Sequence, residues 1–285
     1  MVRTDSVAGG RRRLIIIAAD EASGLRQVWQ LSYPNGEARR ITNDTNSYHG
    51  SSLTSDSATL VTVQTDQVSN IWTATPSEEA GRAKQITFGK NYGASGVAWA
   101  PDKSIVHASL EGGVPDIWSM KADGANQKQL TLDAGKNYLP VVSNDNRYIA
   151  FVSDRQGTYN IWRMDIDGGN QKRLTSGKFD GAPSFFPDNR RVAFFAWDSD
   201  KPTASQVSID GDGLAPLTNF YSYLPVVSPD GKLMVYQALE DQKSFTAKLA
   251  VAAVEGGQIM KRFDLPVGPT RWTPDGLALL YIDAD

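Results

Sequence analysis

The sequence predicts an all-β protein, a β-propeller of four-stranded antiparallel blades, and three recurring phrases predict it. Asn70-Ile71-Trp72, Asp116-Ile117-Trp118 and Asn160-Ile161-Trp162 bring a tryptophan back after 46 and then 44 residues. Ile41-Thr42, Ile86-Thr87, Leu130-Thr131, Leu174-Thr175 and Leu217-Thr218 keep time with them. Pro101-Asp102, Asn144-Asp145, Pro187-Asp188, Pro229-Asp230-Gly231 and Pro274-Asp275-Gly276 mark a turn early in each unit. A period of roughly 40–45 residues with several short strands per unit is the signature of a propeller.

The unit from 137 to 175 shows how each element arises. Leu139–Ser143 reads as the first strand, and Asn144-Asp145-Asn146 as a turn, because Asn and Asp tolerate left-handed backbone and bond their own amides. Tyr148–Val152 is the second strand, Asp154–Gly157 the next turn, Asn160–Met164 the third strand, and Lys172–Thr175 the fourth after Asp167-Gly168-Gly169. The second strands (Ile149–Val152, Val192–Ala196, Leu277–Ile282) are apolar on both faces, whereas a half-exposed strand should alternate. A blade sandwiched between two neighbours buries both faces of its middle strands. The fourth strands are polar, as an outer rim should be.

Complete repeats are expected at about 48–87, 92–131, 137–175, 180–218 and 222–264, with partial repeats at 14–42 and 266–285 and an N-terminal extension at 1–13. One propeller domain, 14–285, holds them all. Six blades are expected, closed by a strand around Thr270–Thr273 lying beside the three strands of the first unit so that no edge stays open. The alternative is an incomplete seven-bladed ring.

Composition narrows the function classes. A net charge of −3 over 285 residues argues against a nucleic-acid surface, which needs a basic face. The chain has no cysteine, which excludes disulfides and thiolate metal sites. No apolar run approaches the length of a membrane span, so direct insertion is not expected. Arg11–Arg13 followed by Leu14–Ala19 mimics a signal peptide. The apolar stretch is short, however, and Asp20-Glu21 follows where a cleavage site should be, so it reads as a buried strand rather than a signal peptide. A monomer is expected.

No catalytic constellation emerges. The two histidines, His49 and His107, occupy different positions of their units and should not converge on a metal. Asp165-Ile166-Asp167-Gly168 and Asp210-Gly211-Asp212-Gly213 lack the later bidentate acid of a calcium loop and read as hairpin turns. There is no Gly-x-Ser-x-Gly elbow. No cofactor and no metal are expected, and the chain reads as non-enzymatic. Trp29, Trp72, Trp118 and Trp162 recur blade after blade, which favours interblade packing over a ligand site; the later units carry Val207 and Leu249 or their neighbours instead.

The better binding candidates are the segments leading into the innermost strands, which ring one mouth of a propeller channel: Tyr48 and His49, Tyr92, Lys136 and Tyr138, Lys178, Phe179 and Asp180, and Tyr223. Each of these five segments holds an aromatic, and an aromatic offers a large contact area to a protein or peptide partner. Lys136, Lys178 and Asp180 would add polar steering.

Val226–Tyr236, Ile149–Arg155 and the Asn/Asp-Ile-Trp strands resemble the WD-like propeller repeats of the TolB family. Val28–Thr42 and Arg271–Gly276 are also similar to the sensor-like propeller carried C-terminally by bacterial transmembrane serine/threonine kinases, although no kinase motif is present. The resemblance implies a periplasmic or extracytoplasmic binding module, the sensor or scaffold part of an envelope or kinase-linked system. The alternatives are the propeller of a hydrolase or lyase: a gating domain of the prolyl-oligopeptidase type, or an enzyme like the oligogalacturonate lyases, which need a histidine-rich metal site.

Overall fold

The computed structural model describes residues 2–4, 12–20, 24–75, 83–111, 113–198, 201–239, 247–264 and 268–281. All regular structure among them is β. The first sheet contains β1 (Val2–Thr4), β2 (Arg12–Ala19), β3 (Arg26–Tyr33) and β4 (Ala38–Arg40). Then come two hairpins, β5 (Ser47–Leu53) with β6 (Leu60–Thr65), and β7 (Trp72–Thr73) with β8 (Lys84–Gln85). Four complete sheets follow. They are β9–β12 (Tyr92–Trp99, Ile105–Ser109, Asp116–Met120, Lys128–Gln129) and β13–β16 (Asn137–Val142, Tyr148–Ser153, Asn160–Asp165, Lys172–Arg173). After them come β17–β20 (Asp180–Phe185, Arg191–Ala196, Thr203–Ser208, Ala215–Pro216) and β21–β24 (Ser222–Val227, Leu233–Leu239, Ala247–Ala253, Ile259–Phe263). The hairpin β25 (Thr270–Trp272) and β26 (Leu279–Tyr281) ends the described chain.

Sequential antiparallel sheets of four strands are the blades of a propeller. In the four complete later sheets the second strands are largely buried on both faces, β14 from Ile149 to Ser153 and β10 throughout, whereas β6 and β26 are mostly exposed. The core lies between sheets rather than within one. Phe151, Trp162 and Met164 of the β13–β16 sheet pack with Val106, Ile117 and Leu130 of the sheet before it. Ala150, Val152 and Ile161, on the opposite face, pack with Val192, Phe194 and Val207 of the sheet after it.

The turn phrase has one chemistry throughout. Asp56, Asp102, Asp145, Asp188, Asp230 and Asp275 each accept the main-chain N–H two residues on, from Ala58, Ser104, Arg147, Arg190, Lys232 and Leu277. This closes the first hairpin of these six units by an Asx turn.

Three features differ from the sequence reading. The first sheet has four strands, because Val2–Thr4 pairs antiparallel with Arg13–Ile15 in what was expected to be an N-terminal extension. Thr270–Trp272 pairs with β26, and Trp272 and Leu279 pack on Val235, Leu249 and Val251; the strand is not inserted beside the first sheet. The repeat at 48–87 is split. After Thr65, residues 66–71 join no ladder, so β6 and β7 are not neighbours. This split corrects the packing role expected of Trp72. Without a paired middle strand beside it, Trp72 is 56% exposed, whereas Trp162, opposite Phe151, is 7% exposed. Trp29 and Trp118 are half-buried. The residue that recurs in the core is the one before the tryptophan: Val28, Ile71, Ile117 and Ile161 are all buried.

Candidate functional site at the channel mouth

The Leu/Ile-Thr phrase proves to be a latch. In five units the threonine hydroxyl accepts the N–H of the residue at the start of the third strand: Thr42 from Val28, Thr87 from Ile71, Thr131 from Ile117, Thr175 from Ile161 and Thr218 from Ala204, all at 2.8–3.0 Å. In three units the same hydroxyl donates to the polar side chain preceding that residue: Thr42 to Gln27 at 2.8 Å, Thr87 to Asn70 at 3.1 Å and Thr131 to Asp116 at 2.6 Å. The latch extends to the first residue of the next innermost strand. Asn137 donates to Asp116 (3.1 Å), Asn160 donates to Asp180 (3.0 Å), and the hydroxyls of Thr218 and Ser222 lie 2.6 Å apart. At these three junctions one blade thereby fixes where the next begins.

The residues beside those anchors are the rim aromatics. Tyr138 follows Asn137, Phe179 precedes Asp180, and Tyr223 follows Ser222. The structure joins these three through two rings that the sequence reading missed, Tyr159 and Phe195. Ring centroids run Tyr138–Tyr159 at 6.0 Å, Tyr159–Phe179 at 5.3 Å, Phe179–Phe195 at 5.7 Å and Phe195–Tyr223 at 6.0 Å, a continuous aromatic course across three blades. Such tilted, edge and stacked contacts each add about 0.5–1.5 kcal/mol beyond area burial. Gly181 makes room for the fourth ring: a Cβ there would stand 2.7 Å from the Phe195 ring. Phe179 is 40% exposed and the other four are half-buried, so the course presents an accessible apolar ledge. Burial, then the neighbouring Tyr159 and Asp154, raises the Tyr138 hydroxyl well above its ordinary pKa. It stays a neutral hydrogen-bonding group.

The remaining expected site residues divide. His49 and Lys178 are exposed and Lys136 is half-buried. The main-chain amides of Lys136 and Lys178 bond Asp154 and Asp198, which shapes the loops beneath Tyr138 and Phe179. Tyr48 and Tyr92 are buried and outside the ledge: the Tyr48 hydroxyl donates to Asp44 at 2.6 Å, and Tyr92 packs on the buried His107 with centroids 5.9 Å apart. Asp180 cannot steer a partner. It is 1% exposed and sits in the latch, accepting from Asn160 and the Gly177 amide, and burial raises its pKa. His49 and His107 lie in different sheets, and among the described residues no three His, Cys, Asp or Glu could share a metal.

Next to the ledge lies the channel. The innermost strands carry a repeated irregularity: the register of β13, β17 and β21 shifts between Tyr138 and Val141, Gly181 and Ser184, and Tyr223 and Val226. At its centre Leu139, Ala182 and Leu224 each adopt φ near +50°, followed by Pro140, Pro183 and Pro225. A left-handed non-glycine costs on the order of 1 kcal/mol or more, and such strain clusters at functional sites. Proline is tolerated because these strands are sheet edges whose free N–H groups have no ladder partner. Gly96 of β9 fits against this wall, where a Cβ would lie 2.8 Å from the Leu139 Cα. The strands enclose a cavity of about 150 Å³ lined by Val97, Leu139, Pro140, Leu224, Pro225 and Val226 among others, with Arg271 at its side.

Residues 62–223 match the family model described as PD40, TolB beta propeller domain. An uncharacterized protein of Agrobacterium fabrum is 35% identical over 197 residues, which cover 65% of this chain and 53% of that protein. The chain thus spans about half the length of the curated relative it matches. Among solved structures, TolB from Acinetobacter baumannii is similar with a TM-score of 0.57 at 21% identity, over 87% of this chain and 62% of that one. A candidate TolB from Agrobacterium tumefaciens gives 0.66 at 19%, over 87% and 95%. An oligogalacturonate lyase in complex with manganese gives 0.57 at 14%, over 95% and 82%. At these identities the likeness to solved structures speaks for the fold.

Proposed function

The chain belongs to the TolB beta propeller domain family, and from that premise we propose that it is a non-enzymatic binding module that holds a protein or peptide at its channel mouth. The observation that carries this reading is the continuous ledge Tyr138–Tyr159–Phe179–Phe195–Tyr223, an accessible aromatic surface on a rigid rim beside an apolar channel. Aromatic anchors in such a setting dominate binding energy in known interfaces. Lys136 and Lys178 lie in the segments that carry the ledge, beside Asp154 and Asp198, and would add polar steering. We infer an extracytoplasmic setting, as the sensor or scaffold part of an envelope or kinase-linked system, from the repeat resemblance. No helix among the described residues is long and apolar enough to cross a membrane. The pairing of β25 with β26 favours a seventh unit over insertion of that strand into the first sheet.

The test is capture from bacterial envelope extract by the intact chain and by Phe179→Ser, with Trp72→Ala as a surface control. Loss of the captured species in Phe179→Ser alone is the expected result. Equal capture by all three would overturn the ledge as the binding surface. Turnover of pectic fragments or peptide esters above background would overturn the non-enzymatic reading.

A further inference from the structure

Arg271 is the one charged side chain among the described residues lining the channel cavity. Its Nη1 donates to the Thr270 carbonyl at 2.9 Å, and no described carboxylate lies within ion-pair reach. The residue is held in place: the indole of the adjoining Trp272 donates to the Val226 carbonyl at 3.0 Å, tying β25 to the innermost strand β21. Arg271 is exposed, yet the surrounding protein lowers its pKa by desolvation. A guanidinium with no described carboxylate partner, set beside an apolar wall, offers a place for an anion. Arginine matches a carboxylate bidentately, and the apolar wall on one side strengthens the pair.

Size and shape narrow the anion. A cavity of about 150 Å³ holds one benzene-sized apolar group. The wall of Leu139-Pro140, Ala182-Pro183 and Leu224-Pro225 contributes no proline N–H to a ligand backbone. An internal Asp or Glu would have to bring two arms of chain past this wall, each with unsatisfied amides; a chain end brings one. Resting on the binding-module reading above, we propose that the cavity takes the C-terminal residue of a peptide. Its apolar side chain lies against Leu139, Leu224 and Val226 and its α-carboxylate on Arg271. The residues before it lie along the ledge that begins at Tyr138.

Fluorescence anisotropy with the intact chain tests this. The probes are dye-labelled six-residue peptides ending in Ala, Leu or Phe, each as the free acid and as the carboxamide. The free acid ending in Leu or Phe is expected to bind at least tenfold tighter than its amide. That ratio should fall below twofold in Arg271→Met and recover in part in Arg271→Lys. Equal binding of acid and amide, binding of none of the six, or discrimination that survives Arg271→Met would overturn the proposal. Such a result would leave the ledge reading standing if Phe179→Ser still loses its captured partner; capture unaffected by Phe179→Ser would sink that reading instead.

Discussion

The hydroxyl of Thr131 stands 2.6 Å from a carboxylate oxygen of Asp116 and at the same time accepts the N–H of Ile117 at 2.9 Å. All three residues are buried. One hydroxyl thus satisfies a main-chain donor and a carboxylate at the seam where one blade hands over to the next.

Thr131→Val keeps the shape and removes that hydroxyl. It leaves the Ile117 N–H without a partner and Asp116 with one donor fewer. A loss of about 1–3 kcal/mol is expected, the range for an unmade buried hydrogen bond. The shift in urea midpoint measures it. A loss within error would mean that the recurring threonine is not a latch.

The latch also sets a pH dependence. Burial raises the pKa of Asp116, against the hydrogen bonds from Thr131, Asn137 and Gln129. Burial raises Asp180 likewise. A carboxyl raised in the fold binds its proton more tightly than in the unfolded chain, so these two groups make stability fall as pH rises from the ordinary 3.8 through their folded values. The turn aspartates act oppositely. Hydrogen bonds from Ser104, Ser228 and Thr273 hold Asp102, Asp230 and Asp275 below the ordinary value, so their contribution is present above it and lost as acid protonates them. Asn70 and Asn160 occupy the place of Asp116 in neighbouring units. Asp116→Asn should therefore leave stability at pH 7 equal or higher and flatten its decline between about pH 4 and pH 7. Urea midpoints across that range measure it, and an unchanged slope would contradict the assignment.

Trp162 and Trp72 close the same phrase and should behave differently. Trp162 is buried with the Arg155 guanidinium 4.4 Å from its ring centroid, and Trp162→Ala should cost roughly 3–5 kcal/mol. Trp72 is 56% exposed, and Trp72→Ala should cost under about 1 kcal/mol, in the range of surface substitutions. Similar losses in parallel denaturation curves would restore a core role for Trp72.

That contrast shows what the sequence made legible. The period announced the blades, and the doubly apolar second strands at 149–152 and 192–196 placed the core, because both follow from repetition; the third such strand, expected at 277–282, instead exposes Leu277, Leu280 and Tyr281. Local departures from the repeat were hidden. Trp72 keeps the phrase but loses the middle strand that would cover it, since Asp66–Ile71 join no ladder. Asp180 resembles an exposed charge when its loop is taken alone. Aligned by unit it takes the place of Asn137 and Ser222, both latch residues. Tyr159 and Phe195 carry no rim signal in the sequence, because one precedes the Asn-Ile-Trp phrase and the other sits within an apolar strand. Only the closeness of three blades turns them toward the rim.

The rim can be separated from the fold by mutation. Phe179 is the most exposed ring of the ledge, so Phe179→Ser should shift the melting temperature by only a few degrees. Tyr138 packs on the core cluster of Val152 and Ile161, and Tyr138→Ala should lower the melting temperature clearly more. A thermal melt of both variants checks the ranking, and the reverse order would contradict the placement of the two rings.

The most direct measurement is calorimetric titration of a peptide selected from a random library on the intact chain, repeated with Phe179→Ser and with Trp72→Ala. Binding at the aromatic ledge requires at least tenfold weaker affinity in Phe179→Ser and no change in Trp72→Ala. Equal affinity for the parent chain and Phe179→Ser would place recognition elsewhere and contradict the account.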